Sequence, residues 1–250
     1  MKSKIKLGLF LFFLGFLGVL TMLTMTIPLK DLPEQFTQFS PITIKLLILV
    51  NPTIMLIIAV LVGTILYDKV NLTVPTISSL LKIDSSQTIK FPQQLKYGVL
   101  LGLLAGILIV LFTSVFGAVI PQEFELLNNK MQPTLLARFG YGGLTEELLL
   151  RFGFMTLVVW IASKLTKKLN SPIYWIGIVT STILFAIGHF PVVYASVTHP
   201  SLVLLTYILI GNSIAGLVCG WLYWKKGLEA AFIAHIFAHV AMVLGGLLQN

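Results

Sequence analysis

Charged residues are scarce in this sequence. Asp, Glu, Lys and Arg together make up 10% of the 250 residues, whereas hydrophobic residues make up 57%, and the mean hydropathy is +0.96. Because a soluble domain carries about 25% charged residues, this composition excludes an ordinary soluble globular protein. We therefore expect a single integral membrane domain over residues 1–250, without a second domain.

Cysteine is nearly absent as well, and acidic residues are few. The only cysteine is Cys219, which excludes an intramolecular disulfide and a metal site built from several cysteines. Nine acidic residues against 17 lysines and arginines give a net charge of +8. The basic residues are spread between apolar runs and form no patch interleaved with aromatic residues. We therefore interpret them as signals of membrane topology and expect no nucleic-acid partner.

Long apolar runs, in contrast, fill most of the chain. A transmembrane helix needs roughly 20 mostly apolar residues, and the runs that qualify are 6–27, 43–67, 97–120, 144–163, 172–195, 201–224 and 228–248. The pattern predicts an all-α fold, a polytopic transmembrane helical bundle of about seven spans (six to eight). The first run is about twice as long as a signal-peptide core and no small-x-small cleavage site follows it, so we interpret it as a retained span.

Lysines occur mainly in alternate connections between these runs. They precede the first run, lie between the second and third, and follow the fourth and the sixth. The positive-inside rule then predicts a cytoplasmic N-terminus and an external C-terminus, in what we expect to be a bacterial cell membrane. The polar residues 68–96 are predicted to form a cytoplasmic loop with a short surface helix, and residues 121–142 a short interfacial helix.

Ionisable residues inside the runs are the main functional signal, because charges in the hydrocarbon region are costly and rare. They are concentrated in the fourth, fifth and seventh runs, whereas the first three runs have almost none. The residues concerned are Glu146, Glu147, Arg151, His189, His235 and His239, with Glu229 at the edge of the seventh run.

Helical spacing separates the two adjacent glutamates. Glu147 and Arg151 are four residues apart, on one helix face, with the acid N-terminal to the base, which favours an ion pair. Glu146 is rotated by about 100° from Glu147 at 3.6 residues per turn. We therefore expect Arg151 to neutralise Glu147 while Glu146 faces a cavity. His235 and His239 are also four residues apart and share a face.

Each of these features has a purely structural explanation when taken alone. A carboxylate–arginine pair inside a span is about as often a helix-packing device as a functional group, and a lone histidine more often forms a hydrogen bond between helices. A histidine pair four residues apart suits a metal, but the sequence has no HExxH motif. Glu, His and His are nevertheless the ligand types that hold zinc with one position open for water.

Three short motifs follow one another in the second half of the chain. They are EExxxR in Glu146-Glu147-Leu-Leu-Leu-Arg151, FxxxH in Phe185-Ala-Ile-Gly-His189, and HxxxH in His235-Ile-Phe-Ala-His239. This ordered set resembles that of the CAAX-protease and bacteriocin-processing family (CPBP, or Abi), the Ras-converting-enzyme-like intramembrane endopeptidases. The resemblance covers about residues 140–245. The N-terminal spans, about 6–120, resemble the family only in being hydrophobic.

The resemblance implies a helical-bundle peptidase whose active site lies in a water-accessible cavity within the membrane. By position, Glu146 is the general base that activates water. Glu147 and Arg151 support it, and His189 and His235 complete the site. The implied partners are a peptide or protein substrate at the membrane, lipidated or carrying a leader, and the lipid bilayer itself.

One position departs from the motif of the family. His239 stands where the family usually has an asparagine that stabilises the oxyanion. A neutral imidazole N–H or an imidazolium can still donate to an oxyanion. The family also leaves open whether a divalent metal such as zinc is bound, and Glu146, His189 and His235 would be its ligands here.

Two other functions stay open at this point. An inactive relative that serves as a membrane scaffold or bacteriocin-immunity factor is favoured by the replacement at His239. An ion-coupled transporter would use buried Glu and His residues as a relay, although the sequence has no internal repeat and no pair of broken helices.

Overall fold

The computed structural model describes residues 2–25, 38–83, 89–130 and 133–249. It is 88% helical, and no strand occurs in these ranges. The first five helices are α1 Lys2–Thr21, α2 Pro41–Leu66, α3 Pro75–Leu80, α4 Phe91–Val119 and α5 Pro121–Lys130. The others are α6 Leu135–Ala137, α7 Thr156–Thr166, α8 Ser171–Ile187, α9 Phe190–Ser196, α10 Leu202–Lys226 and α11 Leu228–Gln249. Two π-helical segments, Arg138–Glu146 and Leu148–Met155, join α6 to α7.

The predicted bundle of about seven transmembrane helices is confirmed. Positions 26 and 27 of the first predicted span lie outside the described residues. The helices long and apolar enough to cross a membrane are Lys2–Thr24, Pro41–Val70, Phe91–Val119, Leu135–Thr166, Ser171–Ser196, Leu202–Lys226 and Leu228–Leu248. We call these the first to seventh spans. Their outer faces carry exposed large apolar side chains such as Phe13, Leu61 and Leu111, as expected where lipid replaces water.

The fourth span begins at Leu135, nine positions before the predicted start at residue 144. Residues 138–143 contain an arginine and three glycines, which lower both hydrophobicity and helix propensity. Packing compensates for this, since the glycines allow close approach to other helices. A Cβ atom added at Gly140 would lie 2.5 Å from the Thr21 side chain of the first span.

The short helix predicted within residues 68–96 is present as α3, and one of its faces is buried. Pro75 and Ile77 are buried, and the carboxylate of Glu229, at the start of α11, accepts hydrogen bonds from the Ile77 N–H and from Gln94 Nε2, each at 2.8 Å. This carboxylate satisfies a free N–H group in the first turn of α3 and ties the helix to the bundle. The predicted surface helix is therefore present, with one face buried against the bundle and Leu80 exposed on the other. Positions 84–88 lie outside the described residues.

Helices α4 and α11 share the most extensive helix contact of the bundle. A Cβ atom added at Gly102 would lie 2.4 Å from the Ala234 carbonyl oxygen, and one at Gly106 would lie 2.4 Å from that of Ala238. Small residues spaced four apart let two membrane helices approach this closely. The contact therefore fixes the position of α11, which carries two of the predicted site histidines.

Candidate active site

A cavity of about 840 Å³ lies between the helices and is partly open to the surface of the bundle. Its walls include the C-terminal end of the first span, the middle of α2 and the N-terminal parts of the fourth and sixth spans. It therefore lies in the half of the bundle away from the lysine-rich connections. Most of its lining is apolar, and the ionisable and polar residues on its wall include Arg138, Tyr141, Glu146, His189, Asn212, His235 and His239.

The head of the fourth span is π-helical on both sides of Glu147. Such widened turns, with i→i+5 hydrogen bonds, are frequent at functional sites, and the 3.6-residue periodicity assumed for the sequence does not apply here. The two glutamates still face different ways. The Glu146 side chain is 19% exposed and lines the cavity, whereas the Glu147 side chain is 1% exposed and points into the protein.

Glu147 lies between a cation and a histidine. Its Oε2 lies 3.4 Å from Arg151 Nε, and its Oε1 lies 2.8 Å from His235 Nδ1. All three side chains are buried. A buried carboxylate is tolerated when it is paired and hydrogen-bonded, and the Arg151 guanidinium is held in turn over the Phe185 ring, with its Cζ 5.5 Å from the ring centroid. The Glu147–Arg151 pair predicted from the EExxxR motif therefore also holds His235 in place through Glu147.

The Glu147 carboxylate sets the orientation of the His235 ring. A carboxylate accepts, so His235 Nδ1–H donates to Glu147, and this bond fixes which ring nitrogen carries the proton in the neutral form. Nε2 lies on the other side of the ring, 3.8 Å from Glu146 Oε2. His235 therefore joins the two glutamates: one holds its Nδ1, and the other lies near its Nε2 at the cavity wall.

His189 is held by its own helix turn. Its Nδ1 lies 2.9 Å from the Phe185 carbonyl oxygen, so Nδ1–H donates and Nε2 is left as an acceptor in the neutral ring. The Phe185 ring packs edge-on against both histidines, with centroids 4.9 Å from His189 and 5.8 Å from His235. The phenylalanine of the FxxxH motif thus packs against both imidazoles and helps to orient them.

His239 stacks on His235 at the cavity wall, with ring centroids 5.0 Å apart. Its Nε2 lies against Gly142, where an added Cβ atom would come within 2.8 Å, so the glycine leaves room for the ring. Its buried Nδ1 has no hydrogen-bond partner among the described residues.

Sequence reasoning missed three polar residues of the cavity wall: Arg138, Tyr141 and Asn212. The first two lie in the segment that the hydropathy pattern placed before the fourth span. Asn212 lies in the middle of an apolar run, and its Nδ2 donates to the Ile208 carbonyl at 2.8 Å. A polar residue within a span was the available signal for Asn212.

The structure gathers a different set of potential metal ligands from the predicted one. Within the described ranges, the cluster that could hold an ion consists of Glu147, Cys219 and His235, whose ligand atoms lie within 4.8 Å of one another. Glu146, His189 and His235 are not brought together in this way. Cys219 was left out of the predicted site because it is the only cysteine, and it reaches the cluster through the packing of α10.

The surroundings of this cluster do not suit a resident metal. Glu147 already accepts a hydrogen bond from His235 and contacts Arg151, and the Cys219 thiol points toward the Ala231 carbonyl at 3.7 Å. A divalent cation would displace the Glu147–His235 bond and lie close to a buried guanidinium, which Coulomb repulsion opposes strongly at low dielectric. The three residues are of types that bind zinc, but the Arg151 guanidinium and the existing Glu147–His235 bond oppose a metal at this cluster.

The fold and the cavity define a class of protein: a polytopic membrane protein with ionisable groups around a cavity between its helices. Residues 129–241 match the family model described as Type II CAAX prenyl endopeptidase Rce1-like. This region, which contains all six predicted site residues, is similar to that family of CAAX-type intramembrane peptidases. No curated protein and no solved structure matches the chain.

Proposed function

We propose that this protein is an intramembrane endopeptidase that hydrolyses a peptide bond of a membrane-associated peptide with water activated by Glu146. One observation carries the proposal. Of two adjacent glutamates, one is in a buried ion pair, and the other lies on the wall of the cavity, with its Oε2 3.8 Å from His235 Nε2. A carboxylate that is positioned but not neutralised by an arginine is available as a base.

Water activation is assigned to Glu146 and His189. The Glu146 carboxylate and the His189 Nε2 lone pair are both acceptors on the cavity wall. A water that donates to them has its oxygen free to attack a peptide carbonyl. Glu146 takes the proton as the carbon–oxygen bond forms, and it returns that proton to the leaving amine nitrogen. General acid–base catalysis of this kind contributes about 10²–10⁴-fold to the rate.

Stabilisation of the oxyanion is assigned to the histidines of α11. His239 donates an N–H to the developing negative charge, in place of the asparagine amide of the family motif. His235, oriented by Glu147, adds a second donor when Nε2 is protonated. One preorganised donor is worth about 10²–10³-fold in kcat at comparable sites, so the site depends on the position of α11.

The substrate assigned to the cavity is an extended peptide with an apolar attachment. A volume of about 840 Å³ is in the range of ligand sites, about 300–1,000 Å³, and the mostly apolar lining suits a lipid-modified or hydrophobic segment. The name of the family, prenyl endopeptidase, points to a prenyl group as a first candidate.

The orientation assigned to the chain is an N-terminus in the cytoplasm. The lysine-rich connections then face the cytoplasm, and the cavity lies in the outer half of the membrane. This position favours a substrate that is anchored in or crosses the bilayer. Phosphatase fusions after residue 250 and after residue 168 test it: activity is expected for the first fusion only, and activity confined to the second would reverse the orientation.

The transporter and scaffold alternatives find less support. No described feature adds a second access path or a repeat for a transporter, and an inactive scaffold has no need of an uncompensated glutamate at a cavity wall. His239 remains the feature that favours an inactive relative.

The decisive test is turnover by the purified protein in proteoliposomes. The probe is a quenched fluorescent peptide with a farnesylated cysteine four residues from its C-terminus, beside the same peptide without the farnesyl group. We expect hydrolysis by the wild type and none above background by Glu146→Gln, which keeps the volume and removes the base. Equal turnover by the two proteins would remove Glu146 from the role of base.

A further inference from the structure

The single cysteine of the chain lies beside the buried charges of the site. Cys219, in the C-terminal half of α10, is 1% exposed and lies outside the lining of the cavity. Its sulfur, a carboxylate oxygen of Glu147 and a ring nitrogen of His235 lie within 4.8 Å of one another. The hydrolysis proposed above gives this residue no part.

The thiol has polar neighbours on two other elements. Its S–H points toward the Ala231 carbonyl of α11 at 3.7 Å, one helical turn before His235. In the fourth span, the Arg151 guanidinium is close enough to act on the thiol electrostatically. The three nitrogens of Arg151 are buried and have no hydrogen-bond partner among the described residues. A cysteine sulfur is a weak acceptor, so it suits donors of this kind.

A packing role is the alternative explanation, because a free cysteine commonly acts as a small hydrophobic core residue. Cys219 does contribute to the hydrophobic core of the bundle. Its neighbours nevertheless include a guanidinium whose donors lack partners, and an aliphatic side chain here would place a methyl group against that charge. Because a buried charge is costly without polar partners, the neighbours favour a polar role.

We infer that Cys219 is a positioning residue of the proposed active site. Its sulfur accepts from the Arg151 guanidinium, and its S–H donates to the Ala231 carbonyl. Arg151 is thereby held in the orientation that leaves Glu147 Oε1 available to hold His235. The inference rests on the proposed function and extends it by one residue, which acts through Glu147 and not on the substrate.

The first test compares two replacements of Cys219 in the proteoliposome assay with the farnesylated peptide. Serine keeps one donor and one acceptor, whereas valine fills the site and offers neither. One net hydrogen bond corresponds to about fivefold in rate, so we expect kcat to fall by about fivefold in Cys219→Val and by less than about twofold in Cys219→Ser. KM should stay unchanged in both, because Cys219 lies outside the lining of the cavity.

A packing role predicts the opposite order of the two variants. Valine is an apolar replacement in an apolar core, whereas serine brings a hydroxyl that is costly to bury. The melting temperature of each variant is measured on the same samples. A valine variant that keeps the melting temperature of the wild type and loses kcat separates a loss of position from a loss of structure.

The second test uses the infrared absorption of the thiol, which belongs to Cys219 alone because the chain has no other cysteine. The S–H stretching band responds to the hydrogen bond of the thiol and to charges near the sulfur. Glu147→Gln removes one of these charges, so we expect the band to shift from its wild-type position. Glu146→Gln is the matched control, since Glu146 lines the cavity, and the band should stay in place.

The outcomes separate this inference from the proposed function. Equal kcat for the serine and valine variants, or a higher kcat for valine, would overturn the positioning role and leave the peptidase intact. An S–H band that keeps its position in Glu147→Gln would show that the thiol does not sense the buried carboxylate, and would overturn the role as well. Failure of the wild type to hydrolyse the peptide would overturn the peptidase proposal, and this inference with it.

Discussion

The N-terminal part of the fourth span has a buried side and a cavity side that differ in chemistry. The adjacent residues Glu147 and Glu146 lie on these two sides. On the buried side, Glu147 contacts both Arg151 and His235, while the three Arg151 nitrogens have no hydrogen-bond partner among the described residues. On the cavity side, Glu146 lines the cavity, and its Oε2 lies 3.8 Å from His235 Nε2. The buried side holds the structure and the cavity side is free to react. Two identical, adjacent residues therefore have different environments, and we expect different roles from them.

The two sides are connected through His235. Its Nδ1 belongs to the buried set and its Nε2 lies at the cavity wall. A disturbance on the buried side therefore reaches the reacting groups. This link makes the comparison testable. Variants on the buried side should mainly lower stability, whereas variants on the cavity side should mainly lower turnover.

The largest effect is expected from breaking the buried side. Arg151→Ala leaves Glu147 as an uncompensated charge in a low-dielectric site, which costs about 3–5 kcal/mol for buried pairs. We expect a loss of this size in the free energy of unfolding, measured by denaturant titration in detergent micelles. The double variant Glu147→Ala/Arg151→Ala should recover part of it. A double variant no more stable than Arg151→Ala would show that the two residues are not paired.

An intermediate effect is expected on the cavity side, at the position that departs from the family motif. If His239 donates to the oxyanion, His239→Asn keeps turnover within about tenfold, because an amide N–H replaces the imidazole N–H, and His239→Ala loses about 10²–10³-fold in kcat. Metal content of each purified variant is measured beside turnover. An asparagine variant that is both inactive and depleted of metal would contradict the donor role and revive a metal site.

A smaller effect is expected from the support of α11. Gly102→Ala places a methyl group where the Ala234 carbonyl oxygen lies 2.4 Å away, and overpacking costs about 1–3 kcal/mol. Gly246→Ala is the matched control, since nothing lies within 4 Å of its added Cβ. Thermal unfolding should show a lower melting temperature for the first variant and no decrease for the second. Equal melting temperatures would mean that α4 and α11 do not pack as closely as described.

The span pattern was predictable because hydrophobicity is a property of the local sequence. All seven spans were found from apolar runs. The early start of the fourth span and the burial of α3 were not found, since both depend on partners distant in the chain. Gly140 fits against Thr21, and α3 receives the carboxylate of Glu229. Neither contact can be detected from the hydropathy of the local sequence.

The candidate site was predictable where motifs cover it. The spacing of EExxxR gave the Glu147–Arg151 pair, and the pair is formed. The bond from His235 to Glu147 crosses 88 positions, and no spacing rule predicts it. Three residues of the cavity wall lie outside the motifs, namely Arg138, Tyr141 and Asn212. They could be identified only from the fold. The catalytic roles themselves stay predictions.

The most direct measurement compares two isosteric changes at neighbouring positions, Glu146→Gln and Glu147→Gln, in the same proteoliposome assay and the same unfolding experiment. We predict that Glu146→Gln lowers kcat by about 10²–10⁴-fold and leaves the melting temperature within error of the wild type. We predict that Glu147→Gln lowers the melting temperature, because Arg151 and His235 lose their carboxylate. If Glu147→Gln keeps its stability, or if Glu146→Gln keeps its turnover, the division of roles between the two glutamates is contradicted.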